Sequence, residues 1–251
     1  MKAIILAAGY ATRLHPLTFN KPKCLLLVDN KPILNSICQK LNAVPEIDEI
    51  IIVTNAKFYS QLTLWSLTFD SRASIKIIDD GTASNETRLG AIGDLSLAIR
   101  EASVDADVLM MASDNLFDQS LKDFVDFAKS RKEAVSIAVY DIGDPKLASK
   151  KFGVIESDGK NRVTSMEEKP EFPKSSFIGM GVYFFPKSSL KLISQYLSHD
   201  GAQDAPGYYI SWLFDQGNPV YSFQFKGMWY DIGDLKALEE ANNLFKTKHK
   251  F

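Results

Sequence analysis

The chain has 251 residues, of which 45% are hydrophobic and 24% are charged, and its formal net charge is −2. This composition is typical of a globular domain and excludes a disordered or collagen-like chain. The near-neutral charge provides no overall field for a nucleic-acid backbone or an anionic membrane, so we expect neither as a partner. The sequence contains only two cysteines, no run long enough to span a membrane and no full secretory signal core. We therefore expect a reduced, cytoplasmic protein.

Strands and helices alternate in the first half of the predicted fold. Continuous apolar or β-branched runs predict buried strands, and apolar residues at helical spacing predict helices. In chain order these elements are the strand Ala3–Ala8, the helix Ile33–Leu41, the strand Glu49–Thr54, the helix Lys57–Phe69, the strand Ile75–Ile78, the helix Arg88–Ala102, the strand Val108–Ala112, the helix Ser120–Ala128 and the strand Ala134–Tyr140. This alternation predicts an α/β fold with a Rossmann-like, mixed and mostly parallel central sheet that carries helices on both faces.

The second half of the chain is richer in predicted strands. The dipeptide Asp158–Gly159 is a strong signal for a hairpin turn. The predicted elements are the strands Phe152–Glu156, Arg162–Met166 and Phe177–Phe185, the helix Ser188–Leu197, the strands Pro219–Phe225 and Met228–Tyr230, and the helix Asp234–Lys246. No Pro- or Ser-rich linker separates the halves, so we expect one sheet within a single domain over residues 1–251. No hexapeptide repeat follows the last helix, and a C-terminal β-helix domain is not expected.

The loop after the first predicted strand concentrates glycine and basic residues. It contains Gly9, Arg13 and Lys23, and loops at the carboxyl ends of parallel strands are where α/β sheets bind ligands. Glycine lets the backbone approach a phosphate closely, while Arg and Lys supply charged donors for its oxygens. The loop therefore predicts a polyphosphate site, although neither a P-loop nor a GxGxxG fingerprint is present. The same composition is also typical of a surface loop with solvated Arg and Lys.

Several motifs in order resemble one enzyme family. The run LAAGYATRL…PLT…KPKCLLLV…KPIL resembles the signature of the sugar-1-phosphate nucleotidylyltransferases. Further matching segments are ASDNLF around Asp114, FGVIE at Phe152–Glu156, MEEKP around Glu168, IGMGVYFF at Ile178–Phe185 and WYDIGD at Trp229–Asp234. The resemblance covers nearly the whole chain and is closest to the glucose-1-phosphate thymidylyltransferase branch. It implies a nucleotide-binding half over residues 1–140 and a sugar-phosphate-binding half over residues 141–251.

The resemblance implies a specific reaction. The phosphate oxygen of a sugar 1-phosphate attacks the α-phosphorus of a nucleoside triphosphate in line, pyrophosphate leaves, and a nucleotide sugar forms without a covalent enzyme intermediate. The leading substrates are dTTP or UTP with glucose 1-phosphate. GTP with mannose 1-phosphate and CTP with a phospho-alcohol such as phosphocholine stay open as alternatives. So does a non-catalytic subunit that binds nucleotide sugars and regulates a partner. The resemblance also implies homo-oligomerisation.

The resemblance assigns roles to individual residues. The expected catalytic residues are Arg13, Lys23, Asp114 and Asp231, and the two aspartates are expected to bind Mg²⁺. A single Asp at either position, taken alone, is also typical of a turn or a helix cap. The expected nucleotide-binding residues are Leu6, Ala7, Ala8, Gly9, Thr12, Arg13, Lys23, Thr82, Asn85 and Gly90. The expected sugar-phosphate-binding residues are Gly153, Glu168, Lys169, Gly179 and Gly181.

One loop departs from the family pattern. Thymidylyl- and uridylyltransferases usually place a Gln shortly after the third strand to pair with the base, and residues 79–94 contain none. We expect Thr82, Asn85 and the backbone at Gly90 to contact the base instead. The alternative is a long surface loop that caps the following helix. The departure leaves the choice of nucleotide open.

Overall fold

The computed structural model of the chain describes residues 1–199 and 205–248, which form a central sheet flanked by helices. The strands are β1 (Lys2–Leu6), β2 (Leu27–Val28), β3 (Lys31–Pro32), β4 (Glu49–Thr54), β5 (Ser74–Asp79), β6 (Val108–Ala112), β7 (Asn115–Phe117), β8 (Val135–Asp141), β9 (Gly153–Ser157), β10 (Val163–Glu168), β11 (Phe177–Phe185), β12 (Val220–Phe225) and β13 (Trp229–Asp231). The α-helices are α1 (Ile33–Asn42), α2 (Tyr59–Thr68), α3 (Ala91–Glu101), α4 (Leu121–Ser130), α5 (Lys191–Leu197), α6 (Pro206–Asp215) and α7 (Leu235–Lys248). None of the helices in these ranges has the length and apolar character needed to cross a bilayer.

The main sheet is mixed, with a parallel centre. Its order is β10-β9-β11-β6-β1-β4-β5, and β8 branches from β11 and carries β12. The strands β6, β1, β4 and β5 run parallel to one another, whereas β11 is antiparallel to β6. The predicted fold class is confirmed. The carboxyl ends of the four parallel strands share one edge, so the loops that follow them meet there.

The core consists of two layers, one on each face of the sheet. Ala3, Ile4 and Ile5 of β1 are all fully buried, as is expected for a central parallel strand that is covered on both faces. Because side chains alternate between the faces, Ile5 belongs to the same buried cluster as Leu34 of α1. Ile4 belongs to the opposite cluster, which contains Leu95 of α3. This packing fixes β1 and the position of the loop that follows it.

Some predicted ends were wrong. β1 ends at Leu6, before the predicted end of the strand, because the side chain of Asn55 donates a hydrogen bond to the Ala8 carbonyl in place of a strand partner. The predicted helix Arg88–Ala102 begins only at Ala91, because Gly90 has a φ of 77° that a helix does not accommodate.

Several elements were not predicted. One of them is the helix α6, which begins at Pro206, in the first-turn position that suits proline. The helix predicted over Ser188–Leu197 is divided into a short 3-10 helix (Lys187–Ser189) and α5. The short strands β2, β3 and β7 were also missed, because two or three residues are too few to show a periodic pattern. Both α6 and β7 contribute directly to the candidate site.

Candidate active site

Two carboxylates lie side by side at the edge of the parallel strands. The short strands β7 and β13 pair antiparallel, with Asp231 opposite Asn115. The backbone N–H of Ile232 donates to the carbonyl of Asp114 at 3.0 Å, which ties the two acidic residues together. Burial and the neighbouring charge of Asp114 raise the pKa of Asp231 to about 7. The pairing of two short strands therefore creates an acidic site that attracts positive charge.

A lysine from the first loop reaches this acidic site. Lys23 opens a short 3-10 helix (Lys23–Leu25), and its Nζ lies 2.7 Å from Oδ2 of Asp114. Both side chains are largely shielded, with 15% and 27% of their surfaces exposed. An ammonium group in this position can bind a phosphate oxygen while it remains paired with the Asp114 carboxylate. The loop after β1 and the end of β6 are thereby joined.

Asn115 orients Asp114 and was not anticipated from the sequence. Its Nδ2 donates to Oδ1 of Asp114 at 3.1 Å, and its Oδ1 accepts from Nε1 of Trp229 at 2.8 Å. Gly181 leaves the room for this amide, since a Cβ there would lie 3.2 Å from Nδ2 of Asn115 and 3.0 Å from Cβ of Ala112. An amide residue directly after Asp114 in the ASDNLF segment was the signal available in the sequence.

The donor set fits a hard divalent cation. Within residues 1–199 and 205–248, no cluster of three or more His, Cys, Asp or Glu side chains could hold a metal by itself. Two carboxylates such as Asp114 and Asp231 leave most coordination positions to water and phosphate oxygens, which is how Mg²⁺ binds alongside nucleotides. The buried Asp231 carboxylate lies beside a second acid, an arrangement that a cation stabilises.

A small glycine-lined pocket adjoins Asp231. It has a volume of about 160 Å³, and Gly153, Gly179 and Gly181 all line it. Glu168 lies opposite Gly153 in the β9–β10 pair, and only 7% of its side chain is exposed. Burial raises the pKa of this carboxyl. The absence of side chains on the glycines leaves space for a ligand against the Glu168 carboxylate.

The unpredicted helix α6 closes the same pocket. A Cβ at Gly207, in the first turn of α6, would overlap Oε2 of Glu168 and lie 2.8 Å from its Cδ. The N-terminus of α6 therefore approaches Glu168 as closely as glycine permits, and the helix dipole there favours a negative charge. The position of the carboxylate depends on this contact.

A second, wider cavity also reaches Asp231. Its volume is about 680 Å³, and its charged lining consists of the basic Arg13, Lys150, Lys151 and Lys169 and the acidic Asp231, Asp234 and Glu240. Lys151 also lines the glycine pocket, so it lies between the two cavities. Lys150 and Lys151 were missed, although two adjacent lysines directly before the FGVIE motif were a visible signal. The cavity can hold a polyanion beside the acidic pair.

Lys169 is held at the junction of β10 and β9. Its φ of 50° is unusual for a residue with a side chain, and its N–H donates to the carbonyl of Phe152 at 3.1 Å. The N–H of Lys150 donates in turn to the carbonyl of Pro170 at 2.9 Å. These bonds place the lysines of two segments beside each other, and Nζ of Lys169 lies 3.9 Å from Oε1 of Glu168.

The loop after β1 is anchored at its start and open at Gly9. The N–H of Ala7 donates to the carbonyl of Val53 at 2.8 Å, and Nδ2 of Asn55 donates to the carbonyl of Ala8 at 2.8 Å. Gly9 is exposed, and no atom lies within 4 Å of the place where its Cβ would be. A ligand can therefore approach the backbone at Gly9, just beyond the end of β1 at Leu6.

The next turn of this loop presents its polar side chains to solvent. Ala11 has a φ of 47°, and the hydroxyl of Thr18 donates to its carbonyl at 2.9 Å. Thr12 and Arg13 follow in an exposed 3-10 helix. The positive charge of Arg13 acts on Asp231 and lowers its pKa against the effect of burial. Arg13 therefore acts on the acidic pair of Asp114 and Asp231. Thr12 is the neighbour of Arg13 in the sequence only.

The loop after β5 contacts the first loop through one buried threonine. The hydroxyls of Thr82 and Tyr10 lie 3.4 Å apart. The side-chain oxygen of Asn85 already accepts a hydrogen bond from Arg88 at 2.9 Å, so it is less accessible to a base than expected. Gly90 precedes α3, which has no side-chain cap. The structure brings Thr82, but not Asn85, into contact with the loop after β1.

Comparison with known proteins identifies the family. A model of the nucleotidyl transferase family matches residues 2–248. The chain belongs to the nucleotidyl transferase family. The bifunctional protein GlmU of Methanocaldococcus jannaschii is 29% identical to this nucleotidyl transferase over 249 residues, which are 99% of the chain and 55% of that relative. The chain therefore spans about half the length of this curated relative.

Solved structures share the fold of this nucleotidyl transferase. A Bacillus anthracis protein assigned as a glucose-1-phosphate thymidylyltransferase, solved with sucrose, superposes with a TM-score of 0.75 and 23% identity over 97% of this chain and 94% of that one. A UDP-glucose pyrophosphorylase solved with UDP-glucose superposes with a TM-score of 0.83 and 18% identity over 98% of each chain. The family match confirms that the motifs belong to a nucleotidyl transferase, and the solved structures confirm the predicted fold.

Proposed function

We propose that this nucleotidyl transferase joins dTTP or UTP to glucose 1-phosphate, with release of pyrophosphate. The observation that carries the proposal is the contact of Lys23 with Asp114 beside Asp231, between an open phosphate loop and a glycine-lined pocket. Two polyanions can meet at such a site because acidic, basic and uncharged surfaces lie next to one another. The names of the two similar structures, a glucose-1-phosphate thymidylyltransferase and a UDP-glucose pyrophosphorylase, support the choice.

The residues present divide the proposed reaction between them. Bound at Asp114 and Asp231, Mg²⁺ would supply positive charge to the reacting phosphates. Arg13 and Lys23 bind the triphosphate, and the backbone at Gly9 approaches it. Holding both substrates in line then supplies most of the rate enhancement, because the attacking phosphate oxygen is already ionised and needs no general base.

The acceptor binds across the two cavities that meet at Lys151 and Asp231. Lys169, with Lys150 and Lys151 beside it, holds the phosphate of the sugar. Glu168 accepts hydrogen bonds from sugar hydroxyls in the glycine-lined pocket. Self-association and a cytoplasmic location stay predictions. Both cysteines, Cys24 and Cys38, are buried free thiols, which is compatible with a reduced protein.

The test is pyrophosphate release by the purified protein with Mg²⁺. Four nucleotides (dTTP, UTP, GTP and CTP) are crossed with the 1-phosphates of glucose, mannose, galactose and N-acetylglucosamine, and with phosphocholine. We expect release with glucose 1-phosphate and either dTTP or UTP, abolished by EDTA. Release only with GTP and mannose 1-phosphate, or with CTP and phosphocholine, would overturn the proposed pair. Binding of nucleotide sugars without any turnover would favour the non-catalytic subunit.

Replacing Lys169 by alanine is expected to raise the KM for the sugar phosphate about tenfold or more, because a charge-assisted hydrogen bond to a phosphate is lost. The KM for the nucleotide should change far less, since Arg13 and Lys23 are untouched. Steady-state kinetics with each substrate varied in turn gives both values. Lys160→Ala, at an exposed hairpin position, is the matched control. Equal changes in both KM values would contradict the assigned role.

A further inference from the structure

Two acidic side chains, the half-buried Asp80 and the buried Asp94, lie near the two ends of the loop over residues 81–90. Asp80 directly follows β5, and Asp94 lies in the first turn of α3. Asp94 is only 6% exposed. Neither Oδ1 of Asp94 nor Oδ2 of Asp80 receives a hydrogen bond from any donor in the described part of the chain, although both atoms are buried. If both side chains were ionised, these two oxygens would have no hydrogen-bond donor to compensate for their burial.

The remaining contacts of this acidic pair lead to the nucleotide-binding loops. Oδ1 of Asp80 accepts a hydrogen bond from the N–H of Thr82 at 2.7 Å. The hydroxyl of Thr82 lies 3.4 Å from that of Tyr10 in the phosphate loop. At the other end, the N–H of Asp94 donates to the carbonyl of Gly90 at 2.9 Å. A link between Asp80 and Asp94 therefore fixes both ends of the loop against the phosphate loop.

The carboxyl groups of Asp80 and Asp94 face each other closely enough to form a hydrogen bond once one of them carries a proton. Burial and the charge of Asp80 together raise the pKa of Asp94 to about 7. Burial and the charge of Asp79 likewise raise the pKa of Asp80.

No cation offsets these effects in the described residues. The elements packed against α3 are β1, β4, α5 and α6, and they carry the charged groups Lys2, Glu49, Lys191 and Asp215. The one charged group that shifts the pKa of Asp94 is Asp80, and the charge of Asp79 raises the pKa of Asp80. A proton on one carboxyl removes one of the two adjacent negative charges.

We propose that Asp80 and Asp94 share one proton and act as positioning residues, which hold the loop over residues 81–90 against Tyr10 for nucleotide binding. The inference rests on the proposed function and on the expectation from the sequence that Thr82 and the backbone at Gly90 contact the base. When the proton is lost, two negative charges repel each other across the gap and the ends of the loop separate. The apparent affinity for the nucleotide then falls with the fraction of molecules that keep the proton.

The first test is the pH dependence of the nucleotide KM. With a pKa of about 7 for Asp94, about one molecule in ten keeps the proton at pH 8, so the KM should rise about tenfold between pH 6 and pH 8. Asp94→Asn keeps an uncharged donor, and its KM should stay low across this range. The turnover at saturating nucleotide should change much less than the KM in both proteins. Asp70→Asn, at an exposed position, should follow the wild type.

Asp94→Ala separates positioning from mere packing. It removes the hydrogen bond at every pH, so its nucleotide KM should be raised about tenfold even at pH 6. A wild-type KM that follows the same pH profile as that of Asp94→Asn would overturn the inference. An unchanged KM in Asp94→Ala would do so as well. If the alanine variant does not fold, the comparison of wild type with Asp94→Asn still decides.

The second test needs no substrate. The folded state keeps a proton on Asp94 that the unfolded chain loses above its ordinary pKa of 3.8, so stability falls as pH rises from about 4 to about 7 and then levels off. The Tm of Asp94→Asn should therefore gain on the wild type by about 4 °C or more over that window. A constant difference would overturn the shared proton. Absence of binding to all four nucleotides would overturn the positioning role together with the proposed function, whereas loss of the pH effects alone leaves the proposed function standing.

Discussion

Replacing Asp114 by asparagine, or Asp231 by asparagine, is expected to lower kcat at least about 100-fold, the scale of losing one key electrostatic group at a reacting centre. Each change removes one charge from a pair that two short strands hold together. Asparagine keeps the shape of the side chain, so the strand pairing and the fold should be preserved. Pyrophosphate release at saturating substrates, with Mg²⁺ varied, gives both kcat and the concentration of Mg²⁺ at half-maximal rate.

Asp105→Asn is the matched control for these variants. Asp105 lies before β6, at the end of the strand opposite to Asp114, and its side chain is 82% exposed. We expect its turnover to equal that of the wild type. Near-normal turnover in both Asp114→Asn and Asp231→Asn would refute the metal site, whereas loss in only one of them would assign the metal to that carboxylate alone. Circular dichroism and melting curves establish that the variants are folded.

Replacing Gly207 by alanine is expected to lower kcat/KM for the sugar phosphate by about 100-fold, the scale of displacing a substrate-positioning group by about 1 Å. The added Cβ would overlap Oε2 of Glu168. Because that atom is the far end of a flexible side chain, the carboxylate moves rather than the backbone of α6. The stability of the fold should therefore change little, while the acceptor loses its hydrogen-bonding partner.

Gly159→Ala provides the control for this change. Gly159 has no atom within 4 Å of the place of its Cβ, so the same substitution should leave both kinetics and stability unaltered. The kinetic experiment varies the sugar phosphate and the nucleotide separately in Gly207→Ala. An unchanged kcat/KM for the sugar phosphate in a folded Gly207→Ala protein would show that Glu168 does not position the acceptor. A large fall in Tm would show instead that α6, and not the carboxylate, had moved.

The parallel centre of the fold could be predicted from local sequence. The residues of β1 and β4 are apolar without alternation, and only a strand that is covered on both faces has that composition. The rule that ligands bind at the carboxyl ends of such strands then predicted a phosphate site in the loop with Gly9, Arg13 and Lys23. The motif resemblance added the acidic residues and Glu168, and the family match bears out that resemblance.

The tertiary structure decided which of these residues meet. Asp114 and Asp231 are far apart in sequence, and they become neighbours through the pairing of β7 with β13, strands of only three residues each. So short a strand carries no periodic signal, and its stability comes from the partner that the fold supplies. The contact of Lys23 with Asp114 likewise depends on the tertiary structure, because the two residues are 91 positions apart in the chain.

Close approach between segments was likewise invisible in the sequence. Gly207 could be recognised as part of the site only once α6 had been placed against Glu168. Asp80 and Asp94 each resemble ordinary loop and helix-start residues, because a carboxylate in either place is usually solvated. Only the packing of α3 against the sheet buries them together. Composition and local pattern thus determined the strands and the loop chemistry of this protein, whereas long-range packing decided which charges are buried as neighbours, since burial and distance are properties of the folded chain alone.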